Sequence, residues 1–249
     1  MSLTKLNVLH WHLTDTTAFT VESKAFPSLS QKGAIAPTLL YTQDNLREIV
    51  RYARDRGIRI VPEFDIPGHS SFGKGMPALT IAACGGALDP TQNATYTFLT
   101  AFLREMGTVF PDPYLALGGD EVSYGCAAGV PSIQKFLATK PGMNAMDLLA
   151  YFWERVTVDV LPKLNRTLYV WVEDDLSNLD PSSVPTGSVF NMYTNLGSTL
   201  NTTVARGVPG ILSAPYYLDQ TQSYRMGPGH AAYFKLNVRF FATSSPEHR

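Results

Sequence analysis

The stretch TQDNLREIVRYARDRGIRIVPEFDIPGH, running from Thr42 to His69, decides how the rest of the chain is read. Thr42 carries a side-chain oxygen suited to cap a helix, and Leu46, Ile49, Val50 and Ala53 then recur on one face, so residues 42–56 are predicted helical. Gly57 ends that helix. Residues 58–64 (IRIVPEF) are a short β-branched and apolar run, which predicts a strand, and Asp65-Ile66-Pro67-Gly68-His69 opens a loop. A helix, a strand and a polar loop in succession belong to a βα architecture.

The alternation continues on both sides. Strands are expected at residues 6–13, 114–117, 168–172, 188–192 and 210–212, and helices at 91–110, 145–164 and about 196–206. The Gly-rich stretch from His69 to Pro90 is read as a loop long enough to be functional or disordered. No internal repeat or low-complexity linker interrupts the chain, so residues 1–249 are expected to form one domain. Repeated βα units with polar and aromatic residues at the strand ends predict an α/β fold of the (β/α)₈ TIM-barrel class, whose active site is built from those ends. Six strands do not close an eight-stranded barrel, so the barrel is expected to be incomplete, with its first and last strands missing. A doubly wound sheet is the rival; it would show a Gly-rich phosphate loop after its first strand, and His10-Trp11-His12-Leu13-Thr14-Asp15 is not one.

Composition narrows the function classes. With 45% hydrophobic and 16% charged residues the chain has the balance of a protein with one sizeable core. A net charge of −1 with scattered basic residues gives no footprint for nucleic acid or an anionic membrane. No apolar run approaches the roughly 20 residues of a membrane span, and residues 1–6 do not read as a secretion signal. Three glycosylation sequons, at Asn93, Asn165 and Asn201, point instead to a secretory compartment. The two readings agree if a leader precedes Met1. Cys84 and Cys126 are two buried thiols in a reducing compartment, or one bridge in an oxidising one.

The strongest chemical signal is Gly118-Gly119-Asp120-Glu121 at the end of a short strand, where two glycines admit close approach of a ligand and two carboxylates of different reach enter a barrel mouth. Away from that context an Asp-Glu pair is usually a solvated surface feature. Asp15 and His69 follow two other strands, and an Asp-His-Glu line is a recurring way to tune a general acid. Trp171, Tyr216, Tyr217 and Asp219 also sit at strand ends. They read either as core aromatics with a neighbouring acid or as a sugar pocket, with rings against the apolar sugar face and a carboxylate on hydroxyls.

The segments LNVLHWHLTD, YTQDNLREIVRYARDRGIRIVPEFDIPGHS, YLALGGDEV, YVWVED and ILSAPYYLD resemble, in this order, successive barrel segments of the family 20 β-N-acetylhexosaminidases, closest to the eukaryotic lysosomal or secreted branch. The resemblance implies removal of terminal N-acetylglucosamine or N-acetylgalactosamine by substrate-assisted catalysis, in which the sugar's own 2-acetamido oxygen attacks the anomeric carbon. It implies Glu121 as general acid and then base, and Asp120 as the group that orients and stabilises the acetamido group. Asp15 and His69 become a relay toward Glu121, Trp171 a wall of the acetamido pocket, Tyr217 a donor to the acetamido oxygen and Asp219 a partner of a sugar hydroxyl. It further implies a Cys84–Cys126 disulfide, no cofactor or metal, and a homodimer in the full-length protein. Residues 188–193 depart from the family by lacking a tryptophan expected for one pocket wall. The arginine of the family's first strand and the Trp-x-Glu of its last are also not found.

Two alternatives stand beside this reading. His10 and His12 lie on one side of a strand, because side chains alternate with period two, and with His69 and Asp120 they suggest a metal-dependent barrel amidohydrolase. The other is an inactive or merely glycan-binding fragment that keeps the site residues.

Overall fold

In the computed structural model the residues described are 1–172, 186–192, 205 and 207–213. The strands are β1 (Val8–Thr14), β2 (Arg59–Phe64), β3 (Thr80–Ile81), β4 (Ala87–Leu88), β5 (Tyr114–Ala116), β6 (Thr167–Val172), β7 (Val189–Met192) and β8 (Gly210–Leu212). Six form one sheet in the order β1-β2-β5-β6-β7-β8, every neighbouring pair parallel, while β3 and β4 make a small antiparallel ribbon. The helices are α1 (Ser28–Gly33), α2 (Gln43–Arg54), α3 (Phe72–Gly75), α4 (Asn93–Gly107), α5 (Pro131–Leu137) and α6 (Leu148–Arg155). Sequential parallel strands joined by helical crossovers are the build of a (β/α)₈ barrel.

Local chemistry explains the element ends. Thr42 caps α2 as expected: its hydroxyl accepts the Asn45 N–H at 3.1 Å and Asn45 Oδ1 accepts the Thr42 N–H at 3.1 Å, a reciprocal capping box. The long Gly-rich stretch is not bare loop. It contains α3 and the β3–β4 ribbon, elements too short to leave a periodic signal. The helical region expected at 145–164 is broken into a 3₁₀ turn, α6, a π-turn at Val156–Val160 and a further 3₁₀ turn at Leu161–Lys163, where Pro162 has no N–H to continue the ladder. Helix α4 is the best-buried crossover, with Tyr96, Phe98, Leu99, Phe102, Leu103 and Met106 on its inner face. Phe98 and Phe102 pack edge-on against Phe72, and Phe102 against Phe64, so the loops after β1 and β2 rest on an aromatic floor.

The sheet has two unlike faces. Leu9, Trp11, Leu13, Ile60, Phe64, Leu115, Leu168, Val170, Phe190 and Met192 join the large core shared with the helices. The alternate positions Val61, Ala116 and Tyr169 form a separate small cluster with Tyr114 and Val189. On that second face His10, Glu63, Trp171 and Asn191 are joined by hydrogen bonds. Period-two alternation thus sorts apolar side chains to the helices and polar ones to the barrel interior.

Candidate active site

All six strands point the same way, so the segments following β1, β2, β5 and β6 gather at one edge of the sheet. The segment after β2 starts with Asp65, fully buried, and passes through a cis Ile66–Pro67 bond to His69. The segment after β5 is Gly118-Gly119-Asp120-Glu121. Asp65 Oδ1 accepts the Gly119 N–H at 3.0 Å, Ile66 donates its N–H to Leu117 O at 3.0 Å, and Trp171 donates its N–H to Gly118 O at 2.9 Å. Three strand ends are thereby stitched around the two glycines.

Those glycines are required by space as well as by backbone shape. A Cβ on Gly118 would stand 1.8 Å from Asp65 Oδ1, and one on Gly119 would stand 2.6 Å from Trp153 Cζ2; both residues have positive φ. Three residues with side chains share this left-handed region nearby: His69 at φ 48°, Ser71 at 53° and Glu121 at 58°. Such conformations cost on the order of 1–3 kcal/mol each and cluster where side chains must be aimed.

The structure brings Asp15, His69 and Glu121 together. His69 Nδ1 is 3.6 Å from Asp15 Oδ1, and on the opposite side of the ring Nε2 is 3.7 Å from Glu121 Oε2. The Asp15 segment is held there by Ser71, whose hydroxyl donates to the carbonyls of Asp15 and Thr16, each at 2.6 Å, and by Lys74, which donates to Thr17 O at 2.7 Å. Glu121 is largely exposed, whereas Asp120 is half-buried. Burial pushes the Asp120 carboxyl above the usual aspartate range, reinforced by the negative charge of Glu63. Burial and then the charge of Asp120 push Asp65 up to about 10, against the pull of the Gly119 N–H.

Trp171 takes the interior face at the end of β6. Its indole N–H donates to Glu63 Oε1 at 3.0 Å, and its ring stacks on His10 with centroids 5.4 Å apart. Glu63 and Asp65 escaped the sequence reading, Glu63 because it sits inside an apolar strand and Asp65 because it opens a loop. The signal for Glu63 was its register: it pairs with His12 on the side shared with His10. Tyr217, Asp219 and Asn201 lie outside the described residues. Asn93 and Asn165 are both exposed, though Asn93 Oδ1 also accepts from Arg155 at 3.1 Å. Cys84 and Cys126 form a disulfide that joins the segment after β2 to the segment after Glu121.

Two carboxylate and imidazole groups, His12-Glu63-Asp65 and His69-Asp120-Glu121, hold ligand atoms within 4.8 Å of one another. The four residues of the amidohydrolase alternative are divided between them: His12 falls in one, His69 and Asp120 in the other, and His10 in neither.

A parallel barrel sheet that gathers acids and an imidazole at its strand ends is the frame of a hydrolase active site. The model of the glycosyl hydrolase family 20 catalytic domain matches residues 1–239, and the chain belongs to that family. It is 39% identical over 230 residues to the human β-hexosaminidase subunit beta, covering 88% of this chain and 41% of that protein. To the Rattus norvegicus subunit alpha it is 35% identical over 253 residues, covering 97% and 47%. Among solved structures, a Flavobacterium johnsoniae chitobiase superposes with a TM-score of 0.74 at 28% identity, over 88% of this chain and 35% of that one. A Vibrio harveyi exo-β-N-acetylglucosaminidase in complex with N-acetylglucosamine gives 0.72 at 28% identity, over 85% and 37%. The chain spans less than half the length of these relatives.

Proposed function

We propose that the protein removes terminal β-linked N-acetylglucosamine or N-acetylgalactosamine from glycans with retention of configuration. The observation that carries this is the placement of His69 between Asp15 and Glu121 beside the half-buried Asp120. Glu121 protonates the departing glycosidic oxygen as the acetamido oxygen bonds to the anomeric carbon and the glycosidic bond breaks. It then takes a proton from the water that opens the resulting oxazolinium ion. Asp120 faces the acetamido nitrogen and offsets the positive charge that grows there. Asp15 fixes the His69 ring, and His69 in turn holds the Glu121 carboxyl in place. Trp171 walls the acetamido pocket, Tyr217 donates to the acetamido oxygen and Asp219 binds a sugar hydroxyl. The names of the relatives support the substrate, since they are hexosaminidases, a chitobiase and an N-acetylglucosaminidase.

Three sequons and a disulfide favour a lysosomal or secreted location. No helix among the described residues is long and apolar enough to cross a membrane.

The test is Glu121→Gln in the full-length protein. Hydrolysis of substrates with poor leaving groups is expected to fall by about 10²–10⁴-fold, and of activated aryl N-acetylglucosaminides by much less, because only the former need the acid. Equal loss on both classes removes Glu121 from that role.

A further inference from the structure

Glu63 belongs to none of the roles assigned above, yet it is heavily engaged in the barrel interior. Its side chain is 1% exposed. Oε2 bonds His10 Nε2, Oε1 accepts the Trp171 indole N–H at 3.0 Å, and His12 Nδ1 stands 3.5 Å from Oε1. The network extends beyond it. Tyr169 Oη lies 3.3 Å from His10 Nδ1, Asn191 Nδ2 donates to Tyr169 Oη at 2.6 Å, and Ser213 Oγ donates to Asn191 Oδ1 at 2.5 Å. Five side chains from β1, β2, β6, β7 and the end of β8 therefore form one chain across the interior.

Donor and acceptor chemistry orders the chain. Ser213 donates to Asn191 and Asn191 to Tyr169, the Tyr169 hydroxyl meets His10 Nδ1, and His10 Nε2 bonds Glu63. The indole can only donate. Glu63 thus holds His10 on one oxygen and the Trp171 indole on the other. The His10 ring, held by Glu63 on one nitrogen and Tyr169 on the other, stacks on the Trp171 ring and fixes its plane.

We infer that Glu63 is a positioning residue that sets the orientation of Trp171 through its indole N–H and through His10, and so sets the shape of the acetamido pocket. The inference rests on the hydrolase reading above for its kinetic part only. A wall that tilts lets the acetamido oxygen leave its line of attack, and misplacement of about 1 Å can cost on the order of 10²-fold in rate. The sugar still binds through its other contacts, so the loss falls on kcat.

The experiment compares Glu63→Gln, Trp171→Phe and the double variant in the full-length protein. Gln is isosteric and keeps an oxygen for the indole, but it presents an N–H₂ to His10 Nε2 where Glu63 presents an oxygen. The expected result is a kcat lower by about 10-fold on an aryl N-acetylglucosaminide with KM changed by less than about 3-fold. In the Trp171→Phe background the same substitution is expected to change kcat by less than about 2-fold, because the bond it weakens has already gone. Equal fold-losses in both backgrounds overturn the inference. With ¹⁵N labelling, the indole resonance absent in Trp171→Phe reports the bond directly. Its N–H shift is expected to move upfield in Glu63→Gln and further in Glu63→Leu; an unmoved resonance also overturns the inference. That measurement needs no turnover, so a protein without hexosaminidase activity fails the function proposed above and leaves the Glu63–Trp171 coupling separately decided.

Discussion

Asp65 Oδ1 accepts the backbone N–H of Gly119 at 3.0 Å, so a fully buried acid at the end of β2 holds the turn that presents Asp120 and Glu121. Its other oxygen, Oδ2, has no hydrogen-bond partner among the described residues, and His12 Nε2 is 4.0 Å away. Burial of a carboxyl in that position favours its protonated form.

Stability should therefore fall with rising pH because of Asp65. In the unfolded chain its carboxyl ionises near about pH 4. In the folded protein burial and the Asp120 charge raise it to about 10. Between these values the folded state holds a proton that the unfolded state has released, so the contribution drops by up to about 1.4 kcal/mol per pH unit. Asp65→Asn is neutral in both states and keeps an oxygen for Gly119. Urea unfolding at several pH values from 5 to 8 should give the variant the flatter profile, and identical profiles would mean that Asp65 is ionised when folded.

Gly118→Ala is expected to destabilise the protein by about 2–5 kcal/mol, since overpacking costs about 1–3 and left-handed backbone on a residue with a Cβ about 1–2. The added carbon would meet Asp65 Oδ1 at 1.8 Å. Gly57→Ala serves as the control, because it has positive φ but nothing within 4 Å of the added carbon. If the two variants unfold at the same urea concentration, the contact with Asp65 carries no cost.

Asp120→Asn should lower kcat more than it raises KM, because the charge it offsets develops mainly in the transition state. Asp120 must be ionised to do this, and burial raises its pKa. The acid limb of kcat/KM in the parent protein should accordingly lie above about pH 4 and be lost from the variant's profile. A variant that retains the same acid limb assigns it to another group.

Replacing both Cys84 and Cys126 by Ser opens a loop with a sequence separation of 42. On the chain-entropy account this removes about 4 kcal/mol of stability. Comparing oxidised parent and variant by urea unfolding measures it, and a difference below about 1 kcal/mol would show that the bridge braces little.

The sequence by itself determined the strand and helix alternation, the Thr42 cap, and the placing of His10 and His12 on one side of β1. These follow from periods of 2 and 3.6 and from local capping, which need only neighbours in the chain. It also marked Asp120 and Glu121, because two glycines before two acids at a strand end are a local pattern. Tertiary structure alone decided the rest. Asp15, His69 and Glu121 meet because the sheet order β1-β2-β5 sets their strand ends side by side. Glu63 looked like one polar letter in an apolar strand until β1 and β6 supplied His10 and Trp171 as its donors. Asp65 looked like a loop acid until Gly119 closed over it. A buried acid is defined by what surrounds it, and those partners arrive from elsewhere in the chain, where no local periodicity records them.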